Sequence, residues 1–195
     1  MTNKIMAGNH INLSPKTIAP LSNQQMKKER KNLQEILKQE YQINWLTEKN
    51  NSSNTFFKKY KNEYKFEKYL NLIKDSSLRN KLTKLRLGTH TLRIQTGKYE
   101  KNGGPIEVED RTCLVCKSNM IENEEHFIGH CTKYNSIREK YYELISRLDP
   151  SFSSLNVNEK VRYILKANNE NTAHIIGKFI AELFKNRTDF FTNIQ

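Results

Sequence analysis

The sequence predicts a mainly α-helical fold that carries one small insertion built on cysteine and histidine. In several segments, apolar residues recur every three or four positions, the spacing that places side chains on one face of a helix. Clusters of Asn, Ser and Gly, which favour caps and turns, separate these segments. All three cysteines fall between Cys113 and Cys131. Together these observations predict helices around a compact cysteine-rich loop.

The N-terminal part of the chain divides into a tail and one amphipathic helix. Residues 1–21 contain Pro15 and Pro20 and no apolar periodicity, so a disordered tail is expected. Residues 22–54 are predicted as a helix and linker, beginning at a capping box of Ser22 and Gln25. Its apolar residues at helical spacing are Met26, Leu33, Ile36, Leu37, Tyr41 and Trp45.

Region 55–149 is predicted as a helical segment that includes the cysteine-rich loop. An aromatic stripe interleaved with lysines predicts a helix from about Thr55 to Lys74, whose aromatic face is more typical of a core than of a base-stacking platform. A further helix is expected from Ser76, with Gly88 as its C-cap. Segment 90–97 is too short to assign to helix or strand, and Gly103-Gly104-Pro105 marks a loop.

Region 150–195 is predicted to contain two C-terminal helices. Before it, residues 134–148 have apolar positions on one helical face, and Pro150 ends that helix. The same periodicity predicts helices over 157–167 and 172–188.

The cysteines form the pattern C-x2-C-x9-H-x4-C. A C-x-x-C turn brings two thiolates to one point, and a later His/Cys pair can complete the tetrahedron that structural zinc requires. We therefore predict a CCHC zinc-knuckle-like insertion, a short turn or hairpin plus a helix, with Zn²⁺ held by Cys113, Cys116, His126 and Cys131. His130 competes for the nitrogen position, but it directly precedes Cys131, so binding through both neighbours would be cramped.

Other interpretations of the cysteines have weaker support. A disulfide framework requires an even cysteine count and a secretory context. A redox C-x-x-C usually follows a strand and opens a helix. Three buried cysteines without a ligand remain an alternative. A zinc enzyme would need an open coordination position and a general base such as Glu124 or Glu125, whereas four available ligands favour a closed shell.

Strong positive charge points to a polyanionic partner. The formal net charge is +12 and the isoelectric point is about 9.5, a balance typical of nucleic-acid-binding proteins. Lysine and arginine are concentrated in residues 55–104, ahead of the cysteine-rich loop. The alternative is a solvated helix face. The predicted phosphate-contacting residues are Lys81, Lys84, Arg86, Arg93 and Lys98.

The cellular compartment is predicted from what the sequence lacks. It has no run of 18 apolar residues that would span a membrane, and its first residues form no apolar signal core. We expect an intracellular protein, in the nucleus or the cytoplasm, that is not secreted, does not contact membranes and takes no small-molecule substrate.

Three sequence stretches resemble the C-terminal zinc-binding region of non-LTR (LINE-type) retrotransposon reverse transcriptases. They are K-L-R-L-G-T-H-T-L-R-I-Q-T-G-K-Y (Lys84–Tyr99), R-T-C-L-V-C (Arg111–Cys116) and E-N-E-E-H-F-I-G-H-C-T-K-Y-N-S-I-R (Glu122–Arg138). That family has a Leu-Arg-x-Gly-x-His segment before C-x-x-C, then Glu-x-His-Phe, a last Cys and Tyr-x-x-x-Arg. The resemblance is firm over about residues 84–142.

The resemblance implies the same four zinc ligands and a role in holding template RNA or target DNA near a polymerase. The paired aspartates of the polymerase are absent, as is any nuclease constellation. We therefore expect a non-catalytic, nucleic-acid-binding fragment with no catalytic residues. The alternative is a protein-interaction or scaffold module, stabilised by zinc, that packs on an upstream reverse transcriptase domain.

Overall fold

A computed structural model of the chain describes residues 22–51, 58, 60–61, 63–99 and 104–193. The predicted N-terminal tail lies outside these residues. The fold is mainly helical, as predicted, and the described residues contain no strand beyond an isolated antiparallel bridge between Thr112 and Ile121. The α-helices are α1 (Asn23–Asn51), α2 (Tyr69–Leu72), α3 (Ser76–Leu87), α4 (Arg93–Thr96), α5 (Asn135–Leu148), α6 (Val157–Lys166) and α7 (Ala173–Thr192).

The described residues divide into two units, one that ends at Asn44 and one that begins at Trp45. Helix α1 begins at the predicted capping box: the backbone N–H of Ser22 donates to Oε1 of Gln25 (2.9 Å), and the N–H of Gln25 donates to Oγ of Ser22 (3.3 Å). No residue of α1 is buried. None of the described helices is both long and apolar enough to cross a membrane.

The long helix predicted from Thr55 to Lys74 is interrupted: Lys58 and Tyr60 are helical, but the prediction is wrong over residues 63–68. Residues 63–68 are not helical, and helix α2 covers only Tyr69–Leu72. The physical reason is a tertiary ion pair: the carboxylate of Glu67 binds both Lys61 and Arg86, which holds this segment against α3. Residues 52–57, where the predicted helix starts, lie outside the described residues.

Helix α3 confirms its prediction and shows how it is capped. Its N-cap is Asp75, whose side chain accepts hydrogen bonds from the N–H groups of Ser77 and Leu78. Its C-cap is Gly88, at φ 66°, a left-handed conformation that glycine adopts without a Cβ penalty. The undecided segment 90–97 forms the single helical turn α4.

The second unit is built around one apolar core. Helix α7 packs against α3 and α5, and α6 packs against the segment that follows the cysteine-rich turn. Regions 55–149 and 150–195 therefore share this core. The largest fully buried side chains are Tyr134, Phe127, Phe152, Phe179, Ile73, Leu82, Leu85, Leu92, Ile128, Ile145, Ile164 and Leu165.

Candidate metal centre

The first two cysteines lie in a tight turn. Residues 114–116 form the turn, which is bounded by the bridge between Thr112 and Ile121. The N–H of Cys113 donates to the carbonyl of Met120 at 2.9 Å, so the two sides of the turn are joined as in a short hairpin. The turn brings the sulfur atoms of Cys113 and Cys116 to the same side of the loop.

A π-helical segment, His126–His130, supplies the other two donor atoms. It begins where the N–H of His126 bonds to Oδ1 of Asn123 (2.8 Å). It ends where the N–H of Cys131 bonds to the carbonyl of His126 (2.7 Å). This wide turn differs from the predicted α-helix and places residues five apart, rather than four, one above the other. His126 and Cys131 therefore face the same point.

The four donor atoms lie within 4.8 Å of one another. The sulfur atoms of Cys113 and Cys131 are 3.9 Å apart, and the sulfur of Cys116 is 3.4 Å from Nε2 of His126. Tetrahedral bonds of about 2.3 Å to sulfur and 2.0–2.1 Å to nitrogen require separations of roughly 3.8 Å and 3.6 Å. The cluster can therefore hold a metal ion without a large rearrangement.

The donor atoms are shielded from solvent. Cys113, Cys131 and His126 are 2%, 0% and 3% exposed, and Cys116 is half-buried. The hydrogen bond between the sulfur atoms of Cys113 and Cys131 lowers the pKa of Cys113 and raises the pKa of Cys131. Burial acts to lower the pKa of His126, but its bonds to the cysteines outweigh burial and raise it. Metal ligands must be deprotonated, so a bound cation would displace the thiol protons of this cluster.

His130, the competing nitrogen ligand, is exposed and does not join the cluster. The other ring nitrogen of His126, Nδ1, is buried and has no hydrogen-bond partner. In metal sites this second nitrogen usually donates to a carboxylate or carbonyl. Nδ1 of His126 differs from this pattern. The ring is positioned by the residues packed around it and by the hydrogen bond from the backbone N–H of His126 to Asn123.

Glu122 anchors the cysteine-rich loop to α7. Its carboxylate is 1% exposed and receives two bonds from Arg187, from Nε (2.8 Å) and from an Nη (2.9 Å). It also accepts the backbone N–H of Arg93 at 2.9 Å. The backbone N–H of Glu122 donates to the carbonyl of Arg111 at 2.8 Å. The side of the hairpin that leads to His126 is thereby fixed to two other elements.

The next two glutamates are also engaged. Glu124 is 2% exposed and lies 2.7 Å from Nε2 of His90. Nδ1 of that histidine accepts the N–H of Leu92 (3.3 Å), so the proton is on Nε2, which donates to the carboxylate. Glu125 accepts a hydrogen bond from the hydroxyl of Tyr60.

Arg138 holds the far end of the site. Its Nε donates to the carbonyl of Ile128 (3.0 Å), and one Nη donates to the carbonyl of Cys131 (2.8 Å). The other Nη donates to Oδ1 of Asn135 at 2.6 Å. This buried guanidinium caps the backbone that presents the last cysteine.

The predicted phosphate-contacting residues are spread over more than one surface. Lys84 is exposed, and Lys81 is half-buried in a groove that also contains Lys178 and Lys185 of α7. Lys98 is half-buried and donates to Oε1 of Gln95 (2.8 Å).

The two arginines of that predicted set are partly enclosed. Arg86 binds Glu67 and the carbonyl of Leu165 and lies 4.8 Å from the ring centre of Tyr69. Arg93 is half-buried, and its Nε has no hydrogen-bond partner. Arg86 and Lys81 line two different cavities, and the role of the five residues in binding nucleic acid stays a prediction.

Comparisons with protein-family models, with curated proteins and with solved structures give no match for this chain. The site therefore has to be interpreted from its own geometry. Residues that sequence reasoning did not select as site residues form its supports: His90, Glu122, Arg138 and Arg187. One signal in the sequence could have indicated that such supports exist, namely the acidic run before His126. Carboxylates next to a buried ligand need partners of opposite charge.

Proposed function

We propose that the cluster binds one structural zinc ion. The observation that carries this proposal is the closed set of three sulfur atoms and one imidazole nitrogen within 4.8 Å. Thiolates and imidazole suit zinc, and a structural site uses four protein ligands with no open position. The small hairpin buries few apolar side chains of its own, so the ion would contribute directly to its folding.

The surroundings of the cluster support a non-catalytic role. A hydrolytic zinc site needs a free coordination position and a carboxylate that can act as a general base. Glu124 is bound to His90, and Glu125 is bound to Tyr60. The carboxylates closest in sequence to the histidine ligand are therefore committed to other side chains.

In the same proposal the module binds nucleic acid, RNA or DNA. A cavity in the second unit is rich in cationic side chains, and the aromatic ring of Phe66 beside it is 65% exposed. An exposed ring next to several lysines is the combination that stacks a base and contacts its phosphates. The cationic residues of the cavity are Lys61, Lys65, Lys68, Arg86 and Lys166.

Two carboxylates moderate the charge of this cavity. Glu67 binds Lys61 and Arg86, and Glu63 binds Lys65. Arg86 therefore mainly holds Glu67 in place. Lys68 and Lys166 are the residues that we expect to contact phosphate. Lys81, Lys84, Arg93 and Lys98 complete the proposed binding residues on the surface around α3 and α4.

The proposal extends to the resemblance with the C-terminal region of non-LTR retrotransposon reverse transcriptases. Its support is that the resembling residues have a common structural purpose. His90 holds Glu124, Glu122 is held by α7, and Arg138 caps Cys131. In this proposal the resembling residues form the frame around the metal centre, and this shared location is what supports the resemblance.

A second candidate function is a protein-interaction module that packs on an upstream reverse transcriptase domain. The observation that favours it is the set of large apolar side chains exposed on α1, including Leu33 and Ile36, each 58% exposed. Under this alternative, binding would require the polymerase fragment and would not depend on the lysine-rich cavity.

Metal analysis of the purified chain tests the zinc proposal. We expect one zinc per chain, lost in Cys116→Ser and in His126→Ala. The matched control is His130→Ala, which should retain the metal because His130 is exposed and outside the cluster. Zinc-free protein, or equal loss in both histidine variants, would contradict the assignment.

Salt-dependent binding to single-stranded oligonucleotides tests the second part. Each phosphate contact contributes about 0.9 to the slope of log affinity against log salt on duplex DNA and about 0.7 on single strands. Lys68→Ala and Lys166→Ala should each reduce the slope by roughly that amount. Lys133→Ala, an exposed lysine beside the metal centre, is the control and should leave the slope unchanged. Affinity that is independent of salt would remove nucleic acid as the partner.

A further inference from the structure

Helix α1 exposes apolar side chains that no other described residue of its unit covers. Met26, Leu33 and Leu37 are 50%, 58% and 49% exposed, and none of the residues of α1 is buried. A single helix without tertiary contacts is only marginally stable in water. Its stability therefore depends on a partner that buries this face.

The positions along this face follow a heptad repeat within the first unit. Six residues are spaced alternately four and three apart, the a and d spacing that forms a continuous seam between two helices. They are Met26, Arg30, Leu33, Leu37, Glu40 and Asn44.

The order of these residues is self-complementary when two copies run antiparallel. In an antiparallel pair each a position faces a d position of the other helix. With the pair centred on residue 35, Leu33 faces Leu37, Arg30 faces Glu40 and Met26 faces Asn44. Each half of the seam then holds one Arg30–Glu40 pair of opposite charge, flanked on the outside by Met26 and Asn44, and the middle holds four leucines.

A parallel pair would have the opposite electrostatics. Each residue would face its own copy, so Arg30 would face Arg30 and Glu40 would face Glu40. Two like-charge contacts in a partly desolvated seam are destabilising. The charges therefore select both the partner and its direction.

We propose that α1 is an interaction surface for a second copy of this chain, which it binds as an antiparallel two-helix coiled coil over residues 26–44. The seam is about 27 Å long at 1.5 Å per residue. The arrangement is a closed two-fold dimer, in which the same patch is used by both copies. The dimer would carry two metal centres and two lysine-rich surfaces, which goes beyond the function proposed above.

The test is the mass of the full-length, metal-loaded chain, measured by analytical ultracentrifugation across a concentration series. We expect a dimer for the wild type. Arg30→Glu and Glu40→Arg should each weaken dimerisation at least about tenfold, because each creates like-charge pairs in the seam. The double variant Arg30→Glu/Glu40→Arg should restore the dimer.

Mixing the two single variants gives the sharpest result. In an antiparallel heterodimer, the glutamate introduced by Arg30→Glu in one chain faces the arginine introduced by Glu40→Arg in the other. The second pair joins the unchanged Glu40 of the first chain to the unchanged Arg30 of the second, so it also has opposite charges. The equimolar mixture should therefore dimerise where each variant alone does not. Lys28→Glu is the matched control, since it makes the same change of charge on the opposite side of α1 and should leave dimerisation intact.

Several outcomes would overturn the proposal. A wild-type chain that stays monomeric at the highest concentration means that the face serves another protein. Loss of dimerisation in Lys28→Glu would show a general charge effect rather than this seam. Failure of the double variant to recover, with the metal content and the thermal transition of the second unit unchanged, would exclude the antiparallel register.

Discussion

Replacing Arg187 with alanine should destabilise the second unit more than any surface substitution. Arg187 is the main partner of the Glu122 carboxylate, which is 1% exposed and receives bonds of 2.8 and 2.9 Å from it. After the replacement, the backbone N–H of Arg93 would be the remaining donor to this carboxylate. A buried charge would be left with one hydrogen bond in place of three.

The size of the effect follows from the burial of the pair. Removing one partner of a buried ion pair costs about 3–5 kcal/mol, because the other charge stays desolvated. This is a large part of the roughly 5–15 kcal/mol by which domains are stable. Urea denaturation followed by circular dichroism should show a much lower midpoint for Arg187→Ala. If the proposed zinc site is correct, the zinc content should also fall, because Glu122 lies in the cysteine-rich loop.

Two further variants make the interpretation specific. Arg147→Ala removes an arginine whose partner is Glu143 on the surface of α5, and it should cost less than about 1 kcal/mol. The double variant Glu122→Gln/Arg187→Met removes both charges and should cost less than Arg187→Ala alone. A cost below about 1 kcal/mol for Arg187→Ala, or a double variant that is worse than the single one, would refute this reasoning.

Three other predictions concern packing, acid stability and capping. Gly129→Ala should cost about 1–3 kcal/mol in urea unfolding, since a Cβ would lie 2.9 Å from a methyl of Val161; an unchanged midpoint would contradict this contact. The pKa of Asp149 is lowered by hydrogen bonds from Ser151 and then from Tyr163. Its contribution to stability should therefore be present at neutral pH and lost as pH falls below about 4, so the difference between the wild type and Asp149→Asn should shrink in acid. Gly88→Ala should cost about 1 kcal/mol because of its left-handed conformation, and a stability equal to the wild type would count against that cap.

Most helices could be predicted from the sequence because their signals are local. The capping box at Ser22, the left-handed glycine after α3 and the apolar periodicity of α5 all lie within a few residues of the elements they define. The helix predicted over 55–74 is wrong at residues 63–68, because its signal was also local and a contact with a distant residue holds this segment in a non-helical conformation. The bond from Arg86 to Glu67 joins residues 19 positions apart, and periodicity does not report such contacts.

The donor atoms of the candidate site were predictable for the same reason. Their spacing of two, nine and four residues encodes a turn and one helical segment, and the structure brings all four together. The supports were not predictable by spacing. Glu122 and Arg187 are 65 residues apart, and His90 and Glu124 are 34 apart, so each pair meets only after the core has formed.

The division between arginine and lysine shows how a basic chain can use part of its positive charge for structure and leave the rest for the proposed binding surface. Arg138 donates hydrogen bonds to two backbone carbonyls of the cysteine-rich loop. Arg111, at the start of this loop, donates to the carbonyls of Ile94 and Ile106. A planar guanidinium can satisfy two or three carbonyls at fixed angles, whereas a lysine ammonium is a point charge that keeps its hydration. The buried positions therefore favour arginine, whereas lysines on the surface provide the charge through which the proposed binding to a polyanion would act. The net charge alone does not distinguish structural basic residues from surface ones. Whether arginine or lysine stands at a given position does distinguish them.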